Sequence, residues 1–316
     1  MQSARNVLTP DSFAMLERIV QTGSFAAAAR QLGLVPSALT YRVRQIEDAL
    51  DVLLFDRSAR QARPTAAGTE LLREGMRLLQ EIDAVACRVQ RVATGWEPRL
   101  SIAVDGICSR RTMLELIEAF YEQGAPTQLR MRDEILTGTL EALTGGRADL
   151  AIGVSGNTSN VAGLQQELLG EVPFVFVVAP HHPLAQASEP IGDDTLVQHR
   201  LVAVADTALG SSVSMGVLAG QEVLTVASLS TKLQAQLRGL GCGLLPEPLV
   251  RAYVQAGHLV ERRLARPRRS VSVYYAWNGP APTQDTRAGG RALQWWLTQL
   301  RSPATRAAML AGDAGA

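Results

Sequence analysis

Residues 23–50 read GSFAAAARQLGLVPSALTYRVRQIEDAL, two helix-forming segments separated by a short break that contains Gly33 and Pro36. Glycine allows a tight turn because it tolerates positive φ. Proline is favoured at the start of a helix, where its missing N–H costs little. Two helices joined by a tight glycine turn are typical of a helix-turn-helix, whose second helix enters the major groove of DNA.

The helix after the break has two unlike faces. Leu39, Val43, Ile46 and Leu50 recur at helical spacing and predict a buried stripe. The opposite face is polar, and arginine suits guanine, whereas serine and threonine bond to bases or phosphates with less discrimination. The candidate DNA-contacting residues here are Pro36, Ser37, Thr40, Tyr41, Arg42 and Arg44.

The flanking segments extend this domain. Upstream, Thr9 and Pro10 predict the start of a helix that Gly23 ends, and Ser24 can cap the next one. Downstream, DVLLFDRSARQARPTAAG (residues 51–68) fits a strand, a turn and a returning strand, as in the wing of a winged helix. Phosphate or minor-groove contacts are expected from Arg57, Arg60 and Arg63. A solvated surface hairpin is the alternative for these arginines.

A long helix is predicted from the Thr65 cap to about Thr94. Its apolar residues recur in heptads, with Gly75 as a weak member, and this period is typical of pairing with another helix. The expected partner is a symmetric copy of the chain. The alternative is a helix packed on its own domain. The candidate dimerisation residues are Leu71, Leu78, Ile82, Val85, Val89 and Val92.

From Arg99 onward, predicted strands and helices alternate, which indicates a mostly parallel, doubly wound sheet. Strands are expected at 100–104, 128–132, 148–154, 173–179, 201–205, 222–226, 243–245 and 271–277. Helices are expected at 111–122, 138–143, 230–240 and 288–300. The alanine-rich residues after Ser302 are expected to form a frayed tail.

The composition sets further limits. The 316 residues carry a net charge of only +1, so any basic surface that binds nucleic acid must be local. The cysteines are Cys87, Cys108 and Cys242; they are widely spaced and form no metal or CxxC pattern, as expected in a reducing cytosol. No signal segment or membrane span is predicted. Lys232 is the only lysine, which a GC-rich genome would explain.

The chain resembles the LysR-type transcriptional regulators over essentially its whole length. The resemblance rests on GSFAAAARQLGLVPSALTYRVRQIEDALDVLLFDR, PTAAGTELL, GRADLAIGV, VAPHHPLA and LRGLGCGLLPEPLV, in this order and spacing. Within the family, VPSALTYRVRQIEDALDVLLFDRS and VAVADTA are most similar to the YhaJ branch. The chain departs from the family at two places. Val35, Pro36 and Ser37 stand where many members have Ser-Gln-Pro, and Tyr41 replaces a common arginine. Both departures affect the operator sequence that the chain is expected to prefer.

The resemblance implies a winged helix-turn-helix domain (1–68), a linker helix (69–94), a hinge (95–98) and a two-lobed α/β effector domain like periplasmic binding proteins (99–301). Lobe I would comprise about 99–171 and 275–301, lobe II about 172–274, and 302–316 the tail. The implied partners are double-stranded DNA, a small-molecule effector in the cleft and further copies of the chain, as a dimer through the linker helix and a tetramer. RNA polymerase is a possible further partner, no membrane is involved, and the expected location is the cytoplasm.

In open α/β sheets, ligands bind beyond the carboxyl ends of the strands. The candidate effector-binding residues at such positions are Asp105, Gly106, Glu134, Ile135, Thr137, Ser155, Asp206, Thr207 and Ser228. Hydroxyls and helix N-termini would bond a carboxylate, whereas the acidic residues equally suit an amine-bearing or hydroxylated ligand. A loop or capping role is the alternative for each of them.

Two other features receive structural interpretations. His181 and His182 lack ligand partners at metal spacing and predict a surface turn. The arginines of residues 262–269 predict a solvated loop rather than a second DNA-binding patch. No metal, cofactor or catalytic motif is predicted. A solute-binding protein or a two-domain α/β enzyme on the same fold are the rival functions, but neither explains the helix-turn-helix and the heptads.

Overall fold

The computed structural model describes residues 4–56, 61–156, 161, 163–208, 216–279 and 289–312. The chain forms two compact units, residues 1–88 and 89–316. No helix among the described residues is both long and apolar enough to cross a membrane.

The first unit begins with four helices, α1 (Ala4–Val7), α2 (Pro10–Thr22), α3 (Phe25–Gln31) and α4 (Pro36–Leu50). Sequence-local signals set their ends. The side chains of Thr9 and Ser24 accept bonds from backbone N–H groups in the first turns of α2 and α3, and Pro36 opens α4. Gly23 and Gly33 have φ of 65° and 66°, a conformation that glycine adopts without strain. The predicted helix-turn-helix is present as α3 and α4.

Leu39, Val43 and Ile46 of α4 are buried in one core with residues of α2 and α3. A two-stranded hairpin follows, with β1 (Phe55–Asp56) antiparallel to β2 (Arg63–Pro64). The buried carboxylate of Glu47 accepts a bond of 2.8 Å from the Leu54 N–H and holds the segment between α4 and the hairpin. The unit therefore has the winged helix-turn-helix architecture that the sequence predicts.

Helix α5 runs from Ala66 to Thr94, and Thr65 caps it by accepting a 3.0 Å bond from the Gly68 N–H. Its apolar stripe has two parts. Leu71 packs on the core of the first unit, and a Cβ on Gly75 would come within 2.2 Å of the Phe13 ring. The first residues of the apolar stripe are therefore covered by the first unit of the same chain. From Leu78 to Val92 the stripe is exposed.

The second unit contains a seven-stranded sheet in the order β10-β6-β11-β5-β3-β4, with β9 paired to β6, and a separate parallel pair, β7 and β8. The strands are β3 (Arg99–Asp105), β4 (Gln128–Glu134), β5 (Leu150–Ser155), β6 (Leu164–Val178), β7 (Leu201–Val204), β8 (Val223–Val226), β9 (Gly243–Pro246), β10 (Val260–Arg262) and β11 (Arg269–Asn278). The helices are α6 (Arg110–Glu122), α7 (Thr137–Thr144), α8 (Asp193–Leu196), α9 (Leu229–Leu237), α10 (Glu247–Gln255), α11 (Arg291–Arg301) and α12 (Pro303–Leu310).

The expectation of a mostly parallel sheet is wrong for the large sheet. β3 pairs in parallel with β4 and β5, but β6, β9, β10 and β11 pair antiparallel. The reason is that β6 and β11 are long strands that run side by side through both lobes, which a pattern of alternating strands and helices does not reveal. One lobe has its core around Val104, Phe120, Tyr275 and Trp296, and the other has cores on either face of β6.

The predicted frayed tail is also wrong over most of its length. Residues 303–310 form α12, and Met309 is completely buried. The carbonyl of Met309 accepts a 2.8 Å bond from the Ser109 N–H, and the carbonyl of Ala308 accepts one of 3.2 Å from the Thr112 hydroxyl. The tail signal came from composition, whereas the helix is held by tertiary contacts with α6.

The segment predicted as a hinge is fixed to the second unit. Trp96 packs edge-on against Phe120, with ring centroids 6.4 Å apart. The Glu97 carboxylate accepts bonds from the Gly290 and Ala292 N–H groups at the start of α11. Residues 96 and 97 therefore belong to the folded effector unit. Ala288, the predicted first residue of α11, lies outside the described residues.

Candidate nucleic-acid interface and effector cavity

The polar face of α4 is free for contact. Ser37, Thr40, Tyr41, Arg42 and Arg44 are all exposed, and Tyr41 exposes 63% of its surface, so its ring is available to a partner. The Thr40 hydroxyl donates a 2.9 Å bond to the Pro36 carbonyl. Arg42 and Arg44 have no ion-pair partner in the part of the chain that the structure describes. The Arg44 guanidinium is thus available on the polar face, as a phosphate or guanine contact requires, whereas Arg42, two residues earlier, lies on another side of the helix.

The hairpin lies beside this face. A groove between α3, α4 and the hairpin is bordered by Ser24, Thr40, Arg44, Asp56 and Gln61. Arg63 is exposed on β2 and stands opposite Asp56 in the strand pair. Arg57 and Arg60, predicted to contact DNA from the turn, lie outside the described residues. The described part of the hairpin is therefore at the edge of the surface that the sequence predicts to bind DNA.

The exposed part of the α5 stripe follows one line along the helix. Leu78, Ile82, Val85, Val89 and Val92 expose between 47% and 85% of their surfaces. Large apolar side chains that share one exposed helix face are a mark of an interaction surface. Among the predicted dimerisation residues, Leu71 is the exception, because the core of its own unit already covers part of it.

In the second unit, a cavity of about 360 Å³ lies between the two lobes. Only Asp105, Ile135 and Ser155 of the nine predicted effector-binding residues line it. Most of its lining is apolar and includes Phe174, Phe176, Leu201, Leu244 and Val271. Small-molecule sites are commonly apolar clefts of this size with a few polar groups.

Asp105 is held by its own chain. Its carboxylate accepts 2.9 Å bonds from the Ile107 and Leu136 N–H groups and a 3.3 Å bond from the Thr139 hydroxyl. Burial, partly offset by these bonds, raises the pKa of Asp105 to about 6. The residue therefore fixes the loops after β3 and β4, and its remaining capacity to bind a ligand is small.

The residues predicted from the other strand ends bond to one another across the cleft. The Thr207 hydroxyl donates a 2.6 Å bond to the Glu134 carboxylate and accepts one of 2.9 Å from the Ile135 N–H. The Asp206 carboxylate accepts a 2.5 Å bond from the Thr137 hydroxyl and a 3.2 Å bond from the Gly138 N–H. Asp206 thus occupies the N-terminus of α7, where an anionic ligand would otherwise be favoured. We name these contacts the interlobe clasp.

The two remaining predicted residues have local roles. The backbone N–H of Gly106 donates to the Glu134 carbonyl at 3.3 Å, and Ser228 caps α9 by accepting a 3.0 Å bond from the Thr231 N–H. Capping is the alternative that the sequence had left open for Ser228. Neither residue lines the cavity.

Sequence reasoning missed the buried lysine of the cavity, Lys232. It lies in the first turn of α9, is 7% exposed and lines the cavity. Burial lowers its pKa to about 8. The signal was visible in the sequence, because a single lysine stands in a chain whose other basic side chains, histidines aside, are arginines.

The prediction of a solvated loop is confirmed for Arg263, Arg266 and Arg268, which are exposed between β10 and β11, whereas Arg262 belongs to β10 and Arg269 to β11. Their charges are largely balanced: Arg263 pairs with Glu189, Arg266 with Asp193 and Arg268 with Glu261, each within 2.8 Å. Of the two adjacent histidines, His181 is exposed, as a surface turn predicts, but His182 is buried and its Nδ1 accepts a bond from the Leu184 N–H.

Comparisons with known proteins agree with both units. The family model described as the LysR substrate binding domain matches residues 93–302, and the one for bacterial regulatory helix-turn-helix proteins of the lysR family matches residues 10–69. Two relatives from Escherichia coli K12 are each 35% identical. The uncharacterized HTH-type transcriptional regulator YeeY aligns over 92% of both chains, and the probable HTH-type transcriptional regulator YhaJ over 93% of this chain and 96% of its own.

Solved structures support the fold. Full-length CbnR complexed with its target DNA has a TM-score of 0.57 at 17% identity, covering 92% of this chain and 98% of that chain. The full-length virulence activator AphB of Vibrio cholerae has a TM-score of 0.54 at 19% identity, covering 92% of this chain and 98% of that chain. At these identities the likeness concerns the arrangement of the elements alone.

Proposed function

Since this chain belongs to the LysR family of DNA-binding transcription regulators, we propose that α4 and the hairpin read its operator and that a small molecule in the interlobe cavity changes this binding. The observation that carries the proposal is the exposed polar face of α4, with Arg44, which has no ion-pair partner among the described residues. The relatives are named as regulators and not as enzymes, so the chain is not assigned a catalytic role. The solute-binding alternative leaves the helix-turn-helix unexplained.

Within the DNA interface, we assign base reading to Arg44, because arginine can bond bidentately to guanine O6 and N7. Ser37, Thr40 and Tyr41 lie on the same face and contact bases or phosphates. Arg42 and Arg63 are placed at the edges, where phosphate contacts fix the register.

The chain acts as an oligomer. We propose that two copies pair through residues 78–92 of α5, because this exposed stripe continues the heptad pattern beyond the core of the first unit. A tetramer, contact with RNA polymerase and a cytoplasmic location are further parts of the proposal that follow from membership of the family. The sequence signals indicate limits of 1–68 and 69–94, and we extend the effector domain from 99–301 to 96–310, because residues 96 and 97 and α12 contact it. The lobes are proposed to change over near residues 171 and 274.

The test is genome-wide DNA occupancy in the source cell, comparing wild type with Arg44→Ala. Arg73→Ala is the matched control, because it removes the same charge from a residue that already pairs with Glu70 and Glu74. We expect sharp peaks in wild type and in the control, and their loss in Arg44→Ala. Equal peaks in all three proteins would contradict the assignment of Arg44.

A further inference from the structure

Lys232 is a buried cation without a counter-charge among the described residues. It makes no hydrogen bond or ion pair with any of them, and its electrostatic neighbour is the Cys242 thiol, whose pKa burial raises to about 11. A buried charge without a partner is strongly unfavourable. Its place in the first turn of α9 adds to the cost, because the helix dipole is positive at that end.

The other charged groups around the cavity do not relieve this. Asp105 is held by Ile107, Leu136 and Thr139, and Glu261 pairs with Arg268. Arg262 and Arg263 both pair with Glu189. Within the described lining, Lys232 is therefore a cation that no carboxylate neutralises.

A second polar group without a partner lies one turn further along the same face of α9. Gln236 is completely buried, and neither its Oε1 nor its Nε2 has a hydrogen-bond partner in the described part of the chain. Its Nε2 would be 2.9 Å from a Cβ added to Gly243, and Gly243 lines the cavity. Buried amides are nearly always bonded, so this unbonded amide, which does not itself line the cavity, adds to the unsatisfied polar groups on the buried face of α9.

We propose that the cavity binds a mostly apolar monocarboxylate whose carboxylate pairs with Lys232, while its apolar body lies among residues such as Phe176, Leu201 and Leu244. This deepens the proposed function, on which it rests, by naming the class of the effector. A single charge fits best, because Lys232 is unmatched, whereas the lining arginines Arg263, Arg266 and Arg268 already pair with carboxylates. An amine would be repelled by Lys232 itself.

The experiment uses the full chain and two pairs of probes, phenylacetate with phenylacetamide and octanoate with octanamide. Calorimetric titration gives the dissociation constant of each. We expect at least one acid to bind at least tenfold more tightly than its amide. In Lys232→Met, which keeps the length of the side chain, this preference should vanish while the amide affinity changes less than threefold. Gln234→Met, an exposed position on the same helix, is the control and should keep the preference.

Thermal unfolding without ligand is the second measurement. Lys232→Met should raise the melting temperature, because it removes the unmatched charge, and the acids should no longer raise it further. A lower melting temperature, an unchanged preference for the acid, or no binding of either acid to wild type would overturn the proposal.

Operator binding with and without the acid separates this inference from the proposed function. An acid that binds through Lys232 but leaves operator binding unchanged supports the carboxylate site and contradicts its role as an effector site. If wild type binds no operator either with or without the acid, the regulator assignment is contradicted, but the calorimetric evidence for the carboxylate site is unaffected.

Discussion

The exposed stripe on α5 allows a quantitative prediction about self-association. Leu78 and Val85 expose 50% and 47% of their surfaces. Full burial of such a side chain is worth about 1.5–3 kcal/mol, so burying the exposed half against a partner contributes ~1 kcal/mol. Two residues from each of two protomers then contribute ~4 kcal/mol to the dimer. Replacing both with glutamate removes this contribution and places like charges at the interface.

Since ~1.4 kcal/mol is a tenfold change in affinity, Leu78→Glu with Val85→Glu should weaken the dimer by about a thousandfold or more. Sedimentation equilibrium over a concentration series measures this change. Leu78→Met with Val85→Ile keeps the apolar surface and should leave the dissociation constant within about tenfold, the range usual for conservative apolar exchanges. Gln90→Glu adds an acid away from the stripe and should have little effect. An unchanged dimer in the double-glutamate variant would refute the role of the stripe.

Four more outcomes are expected. Arg44→Ala should cost ~1–3 kcal/mol on the operator and flatten the difference between operator and mismatched DNA in fluorescence anisotropy, whereas an equal loss on every DNA would assign Arg44 to phosphate. Met309→Ala should lower the free energy of unfolding by ~2–5 kcal/mol in urea, because it empties a filled core site, while exposed Ala307→Ser should not; a similar effect of the two would contradict the role of α12. Thr207→Val should cost ~1–3 kcal/mol and speed amide exchange at the start of α7, because it removes the hydroxyl bond to the Glu134 carboxylate and leaves the Ile135 N–H without its hydroxyl acceptor; unaltered exchange would argue against the interlobe clasp. The pKa of Lys232 is about 8 in the folded chain and 10.5 in the unfolded reference, so the unfolded chain binds more protons between these values and the free energy of unfolding of wild type rises with pH there. Below pH 8, Lys232→Met should therefore be more stable than wild type by ~3 kcal/mol in denaturant titrations, and this difference should vanish near pH 10.5. A difference in stability that does not depend on pH would contradict the prediction.

The helix-turn-helix could be predicted because its signals are local. Thr9, Ser24, Gly33 and Pro36 each determine the backbone within a few residues of themselves, and the structure has them in the expected roles. The polar face of α4 follows directly from the helical period once its ends are known.

The effector site was predicted less well because its chemistry depends on tertiary contacts. The rule that ligands bind beyond strand ends led to Glu134, Thr137, Asp206 and Thr207, but in the fold these residues satisfy one another across the cleft. Lys232 is on a helix face, and only its burial distinguishes it from a surface lysine. Likewise, the composition of residues 302–316 gave no sign that α6 would hold α12.

The long strands β6 and β11 have a mechanical consequence for signalling. They are paired from Arg269 with Phe174 to Asn278 with Leu164, and the register of β11 shifts at Tyr274 against both of its neighbours. The lobes are thus joined by a continuous two-strand ribbon rather than by loops. A motion of one lobe against the other that kept the ribbon's hydrogen bonds would have to bend and twist it, and bulges are where paired strands bend most readily. We expect the ribbon to resist bending except near Tyr274. A ligand in the cavity would then cause a small rotation of one lobe against the other and not a wide opening of the cleft.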